Sequence, residues 1–163
     1  MKRYFLLIII AIGLIGFLSS MPYEDQTIIP ELRTILADEP FKDQLSMIEF
    51  TYWDRTISVE ERGYFYFVEF LIRKSAHFFG YGIVGVLLYL FFRKMRWHFP
   101  SYWAVATVFV IASLDEIRQR YTPGRTGIFD DVVIDTAGAI TCIFLTKLIL
   151  LLFAPSKSVQ KQM

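Results

Sequence analysis

The sorting of charge between apolar segments constrains this chain more than any other feature of its sequence. Four apolar runs stand out: residues 4–21, a stretch that builds from Tyr64 and is unbroken at 76–92 but for His77, residues 99–114, and residues 132–153. They divide the polar residues between two sides. One side, made of the N-terminus, the 93–100 loop and the chain from Lys147 on, holds Lys2, Arg3, Arg93, Lys94, Arg96, Lys147, Lys157 and Lys161 and no acid. The other side holds the remaining nine basic residues and all 16 acids. Short basic loops stay in the cytoplasm. The pattern therefore predicts both termini inside, with residues 22–66 and 115–131 outside the cell.

The lengths agree with that reading. The first run has 18 residues, roughly 27 Å as a helix against a hydrocarbon core of ~30 Å. A cleaved signal peptide is the rival, but Phe17 and Leu18 fit poorly before a cut at Ser19 or Ser20. The third run, at 16 residues, is short and stops at Asp115-Glu116, which places those acids at the membrane edge. None of the runs alternates with the period of a barrel strand. Composition concurs, with 55% apolar residues, 17% aromatic, 20% charged and a mean hydropathy of +0.44. Disorder and collagen are excluded. The single cysteine, Cys142, excludes an intramolecular disulfide and a thiolate metal cluster.

The expected fold is all-α: a four-helix transmembrane bundle with an extracytoplasmic segment between helices 1 and 2. Its parts are a first transmembrane helix at 1–21, an amphipathic cap at 22–66, a three-helix transmembrane core at 67–153 and a cytoplasmic tail at 154–163. The cap is acid-rich, with Leu32, Ile35, Leu36, Leu45, Ile48 and Phe50 at loosely helical spacing, so one or two short surface helices are expected, their acids in solvent. Gly80, Gly82 and Gly85, with Gly13 and Gly16, are read as close helix contacts. The basic residues at 93–96 and Lys147 are read as topology anchors.

Ionisable residues at membrane depth are costly and are the default functional candidates. Three sets fall on the outer side. Arg73, Lys74, His77 and Tyr81 share one helix face through steps of three and four. Asp115, Glu116 and Gln119 leave the third helix. Asp131 and Asp135 share a face at the start of the fourth, beyond a turn that carries Arg125. Acids at a helix C-terminus oppose its dipole, which predicts that Asp115 or Glu116 pairs with Arg125, Arg73 or Lys74.

Taken together, Lys74-x-x-His77-x-x-x-Tyr81, Asp115-Glu116-x-x-Gln119, Pro123-x-Arg125 and Asp131-x-x-x-Asp135-x-x-Gly138 resemble the VanZ-like family over roughly residues 70–142. These are small membrane proteins named for a teicoplanin-resistance accessory protein of Gram-positive bacteria. Asp135 stands where the family often has Asn, and Cys142 where it has Gly. The resemblance implies a link to lipoglycopeptide resistance and supplies no mechanism.

Two functions are weighed. The favoured one is a non-enzymatic protein whose outer-leaflet pocket binds a cell-envelope lipid, a lipid-linked precursor or a lipoglycopeptide antibiotic. Its cations would hold an anionic group, and its aromatic residues would line the acyl part. The other is a membrane enzyme acting on a lipid-linked envelope substrate, with His77 as acid or base and Asp115, Glu116 and Asp131 orienting it or holding a divalent cation. No cofactor is otherwise expected. The sequence carries no phosphate loop, GxSxG or HExxH motif, and no nucleic-acid surface. Membrane lipids are the expected partners, and the oligomeric state is not legible.

Overall fold

Each apolar run becomes a helix in the computed structural model, which describes residues 1–153. The tail expected at 154–163, with Lys157 and Lys161, lies outside the described residues. Helix α1 spans Lys2–Ser20, α5 Tyr64–Lys94, α6 Pro100–Gln119 and α7 Phe129–Leu152. Among the described residues, α1, α5 and α7 are long and apolar enough to cross a membrane. α6, the remaining expected span, is not among them and packs beside the other three. The 99–114 run does not stop at Leu114 either. α6 carries Asp115, Glu116 and Arg118 onward to Gln119, because each acid finds partners within the helix or beside it.

The long α5 is the common neighbour, packed against α1, α6 and α7, and α1 also touches α6. Buried Tyr81, Val84, Leu88 and Tyr89 of α5 meet Ala104, Val108 and Ala112 of α6 and Val132, Ala139 and Ile143 of α7. The α5–α7 contact is the tightest. A methyl group at Gly138 would run into the Phe78 carbonyl oxygen, and one at Gly82 would sit 2.5 Å from Cys142 Sγ. The expectation for α1 is corrected: a methyl at Gly13 meets nothing within 4 Å, and one at Gly16 meets only Arg118, at 4.0 Å. Helix α1 is held by apolar side chains and by Arg118, so its glycines make no close backbone approach.

Between α1 and α5 the chain folds a cap over one end of the helices. A 3₁₀ turn at Tyr23–Asp25 leads to α2 (Ile29–Ile35), α3 (Lys42–Ser46), a hairpin of β1 (Phe50–Tyr52) and β2 (Arg55–Ile57), and α4 (Val59–Arg62). The hairpin corrects the all-α expectation locally. Its strands pair antiparallel, Phe50 opposite Ile57 and Tyr52 opposite Arg55. Alternation over three residues is too brief to read in sequence. The turn puts Trp53 and Asp54 at φ 47° and 56°, the left-handed sense a tight hairpin needs. Ser58 caps α4 by accepting the Glu61 N–H at 3.2 Å. A second apolar cluster, Ile57, Val59, Tyr64 and Phe67 with Phe50, Tyr52 and Phe70 around it, seats the hairpin on the start of α5. The cap acids Glu24, Asp25, Glu31, Asp38, Asp43, Glu49, Asp54, Glu60 and Glu61 are exposed, as expected of a solvated face.

Candidate functional site

Where α5, α6 and α7 meet beneath the cap, each contributes acids or bases to one polar cluster. From α5, Lys74 pairs with Asp131 of α7. One turn further, His77 Nδ1 lies 3.3 Å from Asp135 Oδ1. The separation suits an ion pair, yet neither atom makes a hydrogen bond of good geometry, and both Asp135 oxygens are without a partner. From α6, Glu116 completes a set with His77 and Asp135 in which one ligand atom from each lies within 4.8 Å of the others. Tyr81 stacks on His77 at 6.2 Å between ring centroids and is buried. Gln119 donates to Asp115 at 3.0 Å and to Glu116 at 3.1 Å.

The loop between α6 and α7 fixes Glu116 from the other side. The Ile128 N–H donates to its Oε2 at 2.9 Å. That approach depends on Gly127, at φ 56°, where a side chain would collide with the Glu116 carbonyl oxygen. Arg120 Nε closes the same turn on the Gly127 carbonyl at 3.0 Å.

The expected pairing of Asp115 or Glu116 with Arg125, Arg73 or Lys74 is corrected. Because α6 continues, Arg118 stands one turn beyond Asp115 and reaches it at 2.5 Å, while Ser19 of α1 donates to the same carboxylate at 2.7 Å. Arg118 also donates to the Gly16 carbonyl at 2.6 Å, which ties α1 to α6. Arg125 turns to the cap and donates to Gln26, with its Nε 3.4 Å from the Met21 carbonyl. Arg73 faces Glu69 at 3.7 Å and lies over the Tyr23 ring at 4.5 Å. Of the ten residues singled out, Lys74, His77, Tyr81, Glu116, Gln119, Asp131 and Asp135 form the inner cluster, joined by Asp115 through Gln119. Arg73 and Arg125 stand at its rim.

The structure adds residues that sequence reasoning passed over. Glu69 is buried and accepts from the Tyr23 hydroxyl at 2.6 Å and the Ile28 N–H at 2.8 Å, pinning the start of the cap to α5. A lone acid inside an apolar run was the signal that could have found it. Tyr52 at the end of β1 donates to Asp131, and the Trp53 N–H donates to Asp130 at 3.0 Å. Nothing local in the sequence marks Tyr52, because only the hairpin brings it over α7. Burial, with the Glu69 carboxylate beside it, pushes the Tyr23 phenol up to about 12. Burial and the hydrogen bond to Asp131 likewise raise that of Tyr52. Both hydroxyls therefore stay protonated donors.

Two cavities flank the cluster. The first, about 240 Å³, lies under the hairpin and is lined by Arg55, Arg62, Arg73, Lys74 and Arg125 against only two carboxylates, Glu69 and Asp131, with Tyr23, Tyr52, Trp53 and Phe70 as walls. Lys74 stands 4.8 Å from the Tyr52 ring and 5.3 Å from that of Phe70. The second, about 430 Å³, lies between α1 and α5 and is lined by Ile15, Leu18, Ile72 and Ala76 among others. Glu69, Arg73, His77 and Arg125 border both. Such an arrangement suits an anionic group in the first cavity and apolar matter in the second.

The sequence pattern of the family described as VanZ/LLP1 matches residues 4–151, nearly the whole chain. No curated protein matches the chain, and no solved structure does.

Proposed function

The chain belongs to the VanZ/LLP1 family, and on that premise we propose that it is a multi-pass membrane protein that binds an amphiphile at the outer leaflet. In this reading α6 is the fourth crossing, both ends are cytoplasmic and the cap faces outward. The ligand is a cell-envelope lipid, a lipid-linked precursor or a lipoglycopeptide. All three join an anionic or hydroxyl-rich head group to an apolar tail. The observation that carries the proposal is the pair of adjoining cavities, one ringed by five cations and the other with a mostly apolar surface between α1 and α5, with Arg73, His77 and Arg125 on their shared border. Arg73 and Arg125 hold the head group, Tyr52 and Trp53 cover it, and the tail lies along α1 and α5. Capture of a lipoglycopeptide at the membrane is how such a site would contribute to teicoplanin resistance in a Gram-positive cell.

Native mass spectrometry of the detergent-purified chain tests the reading. Anionic phosphatidylglycerol is expected to remain bound at collision energies that strip zwitterionic phosphatidylcholine. Equal retention of the two lipids would defeat it.

A second reading, an enzyme acting on a lipid-linked substrate, draws support from His77 lying beside Glu116 and Asp135. Substituting His77 by Gln keeps a hydrogen-bonding group and removes the titration near neutrality. Unchanged cellular function in that variant would dismiss the enzyme and leave the binding reading intact.

A further inference from the structure

The deepest part of the polar cluster has a charge the protein does not balance. Asp135 has no exposure to solvent, and neither of its oxygens makes a hydrogen bond. Glu116 is 3% exposed and receives only the Gln119 amide and the Ile128 N–H, which leaves capacity on both oxygens. Lys74 is taken by Asp131, so these two carboxylates face at most the single charge of a protonated His77. An unpaired carboxylate at this depth is among the most expensive groups a helical membrane protein can hold. His77 stands beside the two acids with its Nδ1 buried and likewise unbonded. Three donor atoms, one imidazole nitrogen and two carboxylate oxygens, lie within 4.8 Å of one another on three different helices.

We infer that His77, Glu116 and Asp135 form a binding site for one divalent metal ion of the Zn²⁺ or Mn²⁺ kind. A doubly charged ion cancels the two buried carboxylates. A set of one imidazole and two carboxylates suits these ions better than Ca²⁺, which takes six to eight oxygens. Three protein ligands leave a coordination position open for water or a ligand group. His77 borders both cavities, and this gives the ion a route in. Gln119 and the Ile128 N–H hold Glu116 from behind, as outer partners of metal ligands do. The inference goes beyond head-group binding and stands or falls separately from it.

The test uses the full chain, tag-free, purified in detergent and stripped with EDTA. It is equilibrated with excess Zn²⁺ or Mn²⁺, desalted and measured by inductively coupled plasma mass spectrometry. About one ion per chain is expected, with affinity reduced at least about tenfold in Asp135→Asn, Glu116→Gln and His77→Gln. The melting temperature of the wild type is expected to rise with the ion. That of Asp135→Asn should not respond to the ion, and in EDTA it should be no lower than that of the wild type, because the substitution removes an uncompensated charge. If Asp135→Asn fails to fold, Glu116→Gln carries the same comparison. A chain that stays metal-free in excess of both ions, or binds them equally well in all three variants, overturns the site. Phosphatidylglycerol binding measured in EDTA reads head-group recognition independently, so failure of one idea cannot be mistaken for failure of the other.

Discussion

Helices α5 and α7 each have two unlike halves. Under the cap, α5 carries Glu69, Arg73, Lys74, His77 and Tyr81, and α7 carries Asp131 and Asp135, all half-buried or buried and most in pairs across helices. Toward the other end the same helices meet through Gly82, Val84, Gly85 and Leu88 against Ala139, Cys142 and Ile143, with exposed Arg93 and Lys94 closing α5. Positive charge near a helix C-terminus needs no explanation beyond the dipole and the membrane edge. Buried acids between three helices do need one. The apolar half packs, the polar half is where recognition is proposed, and the two can be separated by mutation.

The largest effect is expected in the packing. Gly138 lies between the two halves, and Gly138→Ala would drive a methyl into the Phe78 carbonyl, backbone against backbone, so neither side can yield by turning a side chain. A loss of about 3 kcal/mol is expected in reversible unfolding, against no measurable change for Gly13→Ala, where the space is open. Equal tolerance of the two would mean that α5 and α7 are not as close as described.

Next comes the inner pair. Lys74→Ala leaves Asp131, a nearly buried carboxylate, with only the Tyr52 hydroxyl. The expected cost is about 2 kcal/mol, between that of an exposed pair and a fully buried one, together with weaker anionic-lipid binding. Stability lost with binding retained would assign Lys74 to structure alone. Arg118→Ala removes the clamp on Asp115, Gly16 and Ser20. Arg118 is itself partly exposed, so about 1 kcal/mol is expected, seen as earlier proteolysis of α1.

The smallest effect concerns Tyr23. Its raised phenol keeps the neutral form in the fold, so its contribution is complete below the ordinary value near pH 10 and is lost as pH climbs through about 12. Tyr23→Phe should therefore lose less stability than the wild type between those pH values, at a cost below about 1 kcal/mol at neutral pH. Parallel alkaline melting curves for the two proteins would contradict the Glu69 contact.

Much of the polar half is legible in the sequence because cost marks it. Charged residues beside apolar runs are conspicuous, and helical spacing alone puts Arg73, His77 and Tyr81 on one face. What sequence could not yield were partners set by distant segments. Asp115 and Glu116 read as the end of a helix, since nothing nearby reveals that Ser19 and the Ile128 N–H will satisfy them and let α6 run on. The hairpin was invisible for the same reason. Its six residues are strands because Phe50, Tyr52 and Ile57 find Phe67 and Phe70 on α5. In α1 the glycines misled in the opposite direction, since composition marks where close approach is allowed and a partner decides whether it occurs.

The most direct measurement removes equal charge from each end of the molecule. Dissociation constants for phosphatidylglycerol, measured in detergent at fixed ionic strength, are compared for the wild type, Arg73→Ala/Arg125→Ala and Arg93→Ala/Lys94→Ala. Removing two charge-assisted contacts at the rim of the cavity should weaken binding by at least about tenfold, while the pair at the other end should leave it unchanged. Equal weakening by both pairs, or none by the first, would contradict a recognition site beneath the cap.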